Sequence, residues 1–326
     1  MQLSKNDKIY VAGHRGLVGS AIVESLRARG YEKIITRPRS ELDLLDAVAV
    51  QRFYAEEKPD VVFVAAAKVG GIHANNVYRA DFIYENLVIQ NNVIWNAHQS
   101  DVHRLVFLGS SCIYPRNAPQ PMPETCLLTG ELEYTNRPYA LAKIAGLELV
   151  NSLRLQYGRD YFSVMPTNLY GPGDNFHPEN SHVLPALIRR FVEAKASGAK
   201  SVTVWGTGTP KREFLYSQDC ADAIVHLAAS IKVDSLEDSP QGKKGFFHVN
   251  VGTGKDVSIS DLAQTIARVV DYHGLIEFDS SRPDGTPRKL LDICYLSEMG
   301  WSPRFTLEHG IAKTLNWFKS ESNKYR

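Results

Sequence analysis

The chain has 326 residues, 44% hydrophobic and 22% charged, which favours two domains or one large α/β unit of an ordinary globular protein. A formal net charge of +1 gives no electrostatic footprint for nucleic acid or an acidic membrane surface, so neither is expected as a partner. The N-terminal stretch lacks the apolar core of a secretory signal, and no apolar run approaches the length of a membrane span, so we expect a cytoplasmic protein.

Short apolar runs rich in β-branched residues alternate with helix-length segments along the first half of the chain. The predicted strands are 8–12, 33–36, 60–65, 104–108 and 161–165, with one more at 246–251. Strands separated in this way imply βαβ units and a parallel sheet buried on both faces. From about residue 171 turn-rich pieces prevail. We therefore expect a Rossmann-like doubly wound parallel sheet in an NADP-binding domain (1–171 and about 213–251), with a smaller mixed α/β substrate-binding cap (about 172–212 and 252–326).

A glycine-rich turn follows the first predicted strand and leads into an amphipathic helix pattern at 20–26. Glycines with this spacing permit a tight turn, a close approach to a pyrophosphate and tight helix–strand packing, while the helix N-terminus attracts the anion. A turn that binds nothing is the alternative, but its place in a βαβ series favours a dinucleotide site. The predicted contacts are Gly13, His14, Arg15, Gly16, Leu17, Val18 and Gly19.

The end of the second predicted strand indicates which dinucleotide binds. An NAD site usually has an acidic residue there for the ribose 2′-hydroxyl, whereas a 2′-phosphate requires arginine. Residues 36–40 read TRPRS, with no carboxylate before Glu41. Arg39, together with Arg15 and with Arg37 as a further candidate, offers forked donors suited to a phosphate. A solvated basic turn is the alternative; NADP is predicted over NAD.

The fourth predicted strand leads into the sequence GSSCIYP at 109–115, which places Ser110 and Cys112 where α/β sheets bind their ligands. This position favours a functional role for Cys112 over packing. Cys126, Cys220 and Cys294 are interpreted as small buried hydrophobic residues. The cysteines lack CxxC spacing and neighbouring histidine pairs, so free thiols and no metal site are expected.

Tyr139 and Lys143 open a further helix pattern and, being four residues apart, share one helix face. The ammonium can therefore lie near the phenol and favour its ionised form. A free phenol has a pKa of about 10 and is a poor proton relay at neutral pH without such help. The YxxxK pattern is common by chance. It indicates a catalytic pair here because the glycine turn and Ser110 stand upstream of it.

The glycine turn combined with Ser110, Tyr139 and Lys143 resembles the extended short-chain dehydrogenase/reductases, in which serine, tyrosine and lysine form the catalytic set. Further motifs extend the resemblance over almost the whole chain: AAAKVGG at 65–71, GSSCIYP at 109–115, PTNLYGP at 166–172, DNFHPENSH at 174–182 and PDGTPRK at 283–289. These are similar to the NADPH-dependent branch that epimerises C3 and C5 of GDP-4-keto-6-deoxy-D-mannose and reduces C4, giving GDP-L-fucose. The resemblance implies a GDP-sugar substrate and a homodimer built from helices near 82–97 and 139–157.

The resemblance gives Cys112 and His182 a chemical task. A ketone at C4 acidifies the hydrogens on C3 and C5, because either carbanion delocalises onto the carbonyl oxygen. Inverting both centres requires an acid/base pair, and a thiol and an imidazole titrate near enough to neutral pH. Both residues occupy the matching family positions, but which of them is the base stays open. Ser111 is the alternative to Ser110 as the catalytic serine.

The resemblance also implies the binding residues. Cofactor contacts are expected at Leu108, Gly109, Lys143, Pro166, Thr167, Asn168, Leu169 and His182, besides Arg39 and the glycine turn. Substrate contacts are expected at Arg190, Trp205, Arg212, Asp284 and Lys289. Solvated surface positions are the alternative for the basic members. One stretch, FLYSQD at 214–219, departs from the family's usual histidine and paired acidic segment, which puts local packing and rim contacts in doubt.

Two other functions stay open at this point. A nucleotide-sugar 4-epimerase or 4,6-dehydratase of the same superfamily would return the hydride to its own substrate, but Arg39 and the Cys112/His182 pair speak against it. A non-catalytic NADP-binding sensor would not need Ser110, Tyr139 and Lys143.

Overall fold

A computed structural model describes residues 3–178, 180–281 and 284–321 of the chain. Glu179 and Pro283 of the motifs quoted above, and residues 322–326 of the expected cap, lie outside the described residues. The strands are β1 (Ile9–Ala12), β2 (Ile34–Ile35), β3 (Val61–Val64), β4 (Arg104–Leu108), β5 (Asp160–Pro166), β6 (Asn168–Tyr170), β7 (Ser201–Trp205), β8 (Lys211–Tyr216), β9 (His248–Val251), β10 (Asp256–Ser258), β11 (Leu275–Asp279) and β12 (Arg288–Lys289).

Ten α-helices are found in the described residues, with short 3₁₀ turns at Ser111–Ile113, Glu124–Cys126, Val233–Leu236 and Gly242–Lys244. The helices are α1 (Leu17–Ala28), α2 (Ala47–Glu57), α3 (Ile72–Val77), α4 (Arg79–Gln99), α5 (Arg137–Tyr157), α6 (Val183–Ser197), α7 (Ser217–Ser230), α8 (Ile259–Val270), α9 (Cys294–Glu298) and α10 (Leu307–Glu321). None of them, within the described ranges, is long and apolar enough to cross a membrane.

A six-stranded parallel sheet forms the larger part of the molecule, in the order β2-β1-β3-β4-β5-β9. The order reverses between β1 and β3, and at such a switch point the carboxyl ends of the strands open a crevice for ligands. All six predicted strands are present, with ends that agree within two residues. The predicted doubly wound parallel sheet is therefore confirmed.

Alternate residues of each strand enter two separate cores, which explains why the strands read as continuous apolar runs. Val61 and Phe63 join the cluster under α1 and α7, whereas Val62 and Val64 join the cluster under α2, α4 and α5. Helices thus cover both faces of the sheet. This burial fixes the positions of the strand ends, and with them the positions of the loops that form the crevice.

The smaller part is mixed α/β, as predicted. Here β8 pairs antiparallel with β10 and parallel with both β12 and β6, while β7 and β11 form a separate parallel pair. Helices α6, α8 and α10 supply most of a third apolar core, which includes Phe191, Leu262 and Ile311. Because β6 directly follows the end of β5 and β8 lies beside it, this part stands next to the crevice.

The four cysteines are free thiols, as predicted. Cys126 and Cys220 are buried, which confirms their packing role. The same prediction for Cys294 is wrong, because this residue is exposed at the start of α9, where its N–H donates to Asp292.

The stretch at 214–219, which differs from the family's usual sequence, has a structural role. The buried Asp219 carboxylate accepts the backbone N–H groups of 304 and 305 and so anchors the segment before α10.

Candidate active site

The seven predicted residues of the glycine turn lie between the end of β1 and the first turn of α1. Gly13 has a φ of +84°, and a Cβ there would lie 2.6 Å from the backbone nitrogen of Ala66 beyond β3. A Cβ on Gly19 would overlap the carbonyl oxygen of Gly13. Gly16 is the N-cap residue immediately before α1 and has no side chain to cap the helix, so a ligand can accept the first N–H groups of α1. This cradle fits a pyrophosphate.

The arginines expected at a 2′-phosphate have different surroundings. Arg37 is tied to Glu57 and to the carbonyl of Thr36, so it serves the fold. Arg39 is exposed and its Nε and Nη2 both lie 3.2 Å from Asp43 Oδ2, an ion pair of the kind that contributes little in water. Arg15 is exposed and has no ion pair among the described residues. Arg15 and Arg39 therefore stay available to a phosphate.

Ser110 and Cys112 lie just beyond the carboxyl end of β4. Gly109 separates them from the strand, and a Cβ there would overlap the sulfur of Met165. The Ser110 hydroxyl caps the following 3₁₀ turn and accepts the Cys112 N–H at 3.4 Å. Ser110 is partly exposed whereas Ser111 is buried, so Ser110 is the serine that a ligand can reach.

The Cys112 thiol is only 7% exposed and has cationic neighbours. Burial raises its pKa, while the Lys289 ammonium, a hydrogen bond with Ser110 and the Lys143 ammonium act in the opposite direction. At Lys289 burial acts in the other direction and lowers the pKa of the ammonium group, and the nearby Cys112 thiol counteracts this lowering. The structure thus brings together a thiol from the sheet side and a lysine that was predicted only as a substrate contact.

Lys143 lies almost wholly buried beneath Tyr139 on α5. Its Nζ donates to the Leu108 carbonyl at 2.8 Å and lies 4.8 Å from the centre of the Phe107 ring. Burial lowers the pKa of Lys143 to about 8. The expected lowering of the phenol pKa is not observed: burial raises the pKa of Tyr139, Cys112 adds to the rise, and Nζ is 5.8 Å from the ring centre.

His182 is the N-cap residue immediately before α6, in the smaller part of the molecule. The His182 residue is exposed to solvent, yet the protein around it partly desolvates the imidazole and lowers its pKa, which favours the neutral form at pH 7. Among the described residues, its side chain has no hydrogen bond to Cys112, Tyr139 or Lys143. The two members of the predicted acid/base pair therefore come from opposite parts of the fold.

The predicted substrate residues form two groups in the smaller part. In the first group, the Arg190 guanidinium lies 4.8 Å from the centre of the Trp205 ring and donates to the Thr203 carbonyl. Trp205 is 52% exposed, and its indole offers a flat apolar surface with a polar N–H. This pair borders an open cavity of about 300 Å³ between α6 and β7.

In the second group, Lys289 on β12 lies opposite Arg212 on β8. Burial lowers the pKa of both side chains; the Arg212 guanidinium lowers that of Lys289 further, whereas the Asp284 carboxylate opposes the effect at Arg212. The Asp284 carboxylate is already occupied: its oxygens accept the Thr207 N–H at 2.9 Å and the Thr207 hydroxyl at 2.7 Å. Asp284 therefore holds the turn after β7, and a direct contact with substrate stays a prediction.

The predicted nicotinamide segment Pro166–Leu169 runs from the end of β5 into β6. The side chains of Thr167 and Asn168 both donate to the carbonyl oxygen of Glu213, at 3.3 and 2.8 Å. Glu213 is fully buried and its carboxylate accepts three backbone N–H groups from the segments after β9 and β12. Glu213 could not be predicted from the sequence, because a single glutamate in a strand forms no recognisable pattern.

Within the described ranges, no three His, Cys, Asp or Glu side chains come close enough to share a metal ion. Two features of the fold define a dinucleotide-binding protein of the Rossmann type: the parallel sheet and the glycine cradle at its switch point. The set of Ser110, Tyr139 and Lys143 beside the cradle agrees with this class. The model of the NAD dependent epimerase/dehydratase family matches residues 9–251, and the chain belongs to that family.

Individual relatives agree with the resemblance drawn from the motifs, which is thereby confirmed. A GDP-L-fucose synthase from Escherichia coli (strain K12) is 56% identical over 319 residues, 98% of each chain. A solved GDP-6-OMe-4-keto-L-xylo-heptose reductase from C. jejuni is 38% identical, with a TM-score of 0.92 over 98% of this chain and 100% of its own. A GDP-L-fucose synthetase from Naegleria fowleri bound to NADP is 27% identical, with a TM-score of 0.86 over 99% and 97%.

Proposed function

We propose that this chain is an NADPH-dependent enzyme that epimerises C3 and C5 of GDP-4-keto-6-deoxy-D-mannose and reduces C4, giving GDP-L-fucose. The match to a GDP-L-fucose synthase over 98% of both chains supports the overall reaction. The observation that carries the chemistry is the buried Cys112 thiol beside Lys289, Ser110 and Lys143. A nucleotide-sugar 4-epimerase that merely returns a hydride has no need of a thiol there.

The residues of the crevice fit the cofactor. The glycine cradle and the N-terminus of α1 would hold the pyrophosphate, and Arg15 and Arg39 would hold the 2′-phosphate. Lys143 and the segment at 166–169 would hold the nicotinamide end. When bound, NADPH supplies the hydride that reduces C4.

The proton transfers follow from the charges around the thiol. Cys112 as a thiol and His182 as a neutral imidazole hold one transferable proton between them. Burial favours the neutral thiol and the neutral imidazole, and the ammonium groups of Lys289 and Lys143 oppose this effect at Cys112 by stabilising its thiolate. In the reacting form, Cys112 is the thiolate and His182 the imidazolium. Cys112 then removes a proton from the carbon beside the ketone, and His182 delivers one to the opposite face. Exchange with water restores the pair before the second carbon reacts.

The C4 oxygen needs hydrogen-bond donors throughout the proposed reaction. When a neighbouring carbon loses its proton, negative charge develops on the C4 oxygen, and Ser110 and Tyr139 hydroxyl groups would donate to it. The raised pKa of Tyr139 keeps the phenol protonated, as a donor must be. After reduction, Tyr139 gives its proton to the C4 alkoxide, and Lys143 beneath the ring stabilises the phenolate that results.

The test is to supply GDP-4-keto-6-deoxy-D-mannose and NADPH in D₂O to wild-type, Cys112→Ser and Cys294→Ser protein. Wild type should give GDP-L-fucose with deuterium at C3 and C5. Cys112→Ser should lose most of the deuterium incorporation while still oxidising NADPH slowly against the unepimerised ketone. Cys294→Ser, which alters an exposed thiol on α9, should match wild type. Undiminished exchange in Cys112→Ser would exclude the thiol as proton carrier.

The remaining expectations are also proposals. We propose two domains: residues 1–171 with about 213–251 bind NADP, and residues about 172–212 with 252–326 bind the substrate. We also propose a location in the cytoplasm, where free thiols persist.

We further propose a homodimer through α4 and α5, supported by large exposed apolar side chains on those helices: Tyr84, Trp95, Leu141, Leu155 and Tyr157. Sedimentation of wild-type and Leu155→Glu protein tests the dimer, since the charge should produce monomers.

A further inference from the structure

The segment between β3 and α4 lies against the loop that carries His182. Gly71 precedes α3, and its N–H donates to the Asn180 carbonyl at 3.0 Å. A Cβ on Gly71 would lie 2.5 Å from the carbonyl oxygen of Ser181 and 3.3 Å from that of Asn180. Gly71 has a φ of −65°, which any residue can adopt, so the glycine is required here for space. The two residues that it contacts come directly before His182.

Asn75 holds Gly71 in this position. Its side-chain Nδ2 donates to the carbonyl oxygens of Gly70 and Gly71, at 2.7 and 3.0 Å, and the Asn75 side chain is buried. Its own backbone N–H also donates to the Gly71 carbonyl. The Gly70–Gly71 turn is therefore fixed by an amide that stands one helical turn further along the chain.

The same segment is joined to the catalytic tyrosine on its other side. Asn86 accepts the Lys68 N–H at 2.9 Å and donates to the Lys68 carbonyl at 3.0 Å and to the Phe82 carbonyl at 2.7 Å. The Phe82 ring packs edge-on against Tyr139, with 6.3 Å between ring centres. Residues 68–75 thus stand between the side chain that would protonate C4 and the loop that leads to His182.

We propose that Gly71, held by Asn75, is a positioning residue that sets where His182 lies for proton transfer at C3 and C5. The proposal rests on the function proposed above. A methyl group at residue 71 would force the 180–181 backbone away, and the imidazole that follows would move with it. A misplacement of about 1 Å costs on the order of 100-fold in rate. Reduction at C4 uses Ser110, Tyr139 and Lys143, which belong to the loop after β4 and to α5. The link from this segment to Tyr139 runs through Asn86 and Phe82 rather than through Gly71, so reduction should change far less than proton transfer.

The test compares Gly71→Ala and Asn75→Ala with Asn76→Ala, a matched control that removes an exposed amide from the same helix. Deuterium exchange at C3 and C5 should fall about 100-fold in Gly71→Ala and about 10-fold in Asn75→Ala. Oxidation of GDP-L-fucose at saturating NADP⁺, which needs no epimerisation, should stay within about 3-fold of wild type. Asn76→Ala should be normal in both assays. A parallel loss of exchange and oxidation would overturn the proposal, as would unchanged exchange.

A second readout does not depend on activity. NMR titration of ¹³C-labelled histidine, with His182→Asn for assignment, measures the pKa of His182. Partial desolvation lowers this pKa in the wild type although His182 is exposed, so a displaced loop in Gly71→Ala should raise it toward the ordinary value, while Asn76→Ala should not change it. If wild-type protein forms no GDP-L-fucose, the proposed function fails, yet the titration still decides whether Gly71 positions the imidazole. An unchanged His182 pKa in Gly71→Ala and Asn75→Ala would refute that role.

Discussion

Glu213→Ala should destabilise the protein and weaken substrate binding together. The Glu213 carboxylate is fully buried and accepts the N–H groups of Thr253 at 2.5 Å, Gly254 at 2.7 Å and Leu291 at 3.0 Å. A hydrogen bond to a charged group contributes roughly 1.5–3 kcal/mol, so three lost bonds set an upper range of about 4.5–9 kcal/mol. Because water can enter the space left by the carboxylate and satisfy some of the donors, we expect a loss of about 4 kcal/mol.

The same substitution should also affect the substrate site. Leu291, whose N–H the Glu213 carboxylate accepts, stands two residues beyond the predicted substrate contact Lys289. The KM for the GDP-sugar should therefore rise about 10-fold, the effect of about 1.4 kcal/mol. Urea unfolding followed by circular dichroism measures the stability, and initial rates measure KM. Glu277→Ala, at an exposed position of β11, should change the free energy of unfolding by less than about 0.5 kcal/mol. A loss below about 1 kcal/mol in Glu213→Ala with unchanged KM would refute this reasoning.

Three further predictions concern charge and exposure. Burial lowers the pKa of Lys143 from 10.5 to about 8, so between these pH values the unfolded chain binds a proton that the folded protein does not. The free energy of unfolding should therefore rise with pH across this window. Urea titrations of Lys143→Met should show a flatter rise. The double variant Arg15→Ala/Arg39→Ala should raise the KM for NADPH about 10-fold in steady-state kinetics. Its KM for NADH should not change, because NADH has no 2′-phosphate for these guanidinium groups to bind. With a thiol reagent, Cys294 should react first and Cys112 far more slowly, because only Cys294 is exposed; equal rates in peptide mapping would contradict the structure.

The sheet could be predicted because each strand is buried on both faces, so the sequence shows it as an apolar β-branched run. The glycine turn could be predicted for a related reason: the space at Gly13 and Gly19 is so restricted that other residues are excluded. Both features are local, since a few neighbouring residues determine them. They were enough to locate the crevice and its dinucleotide cradle.

Features that depend on distant parts of the chain could not be predicted. Lys289 lies beside Cys112 only because β12 pairs with β8 at the edge of the crevice. The spacing of Tyr139 and Lys143 indicated proximity, but it did not show that burial would raise the phenol pKa and lower that of Lys143. Cys294 illustrates the same limit, because whether a helix start is exposed depends on what packs over it.

The two proposed half-reactions place different demands on this fold. Ser110, Tyr139 and Lys143 all belong to the loop after β4 and to α5, so one packed unit holds the groups needed at C4. The proton-transfer groups do not, because Cys112 comes from the sheet side whereas His182 and Lys289 come from the smaller part. Both half-reactions need the smaller part to bind the GDP-sugar, but only epimerisation also needs His182 from that part as a proton-transfer group. Substitutions that loosen the contacts between them should slow exchange at C3 and C5 before they slow hydride transfer at C4.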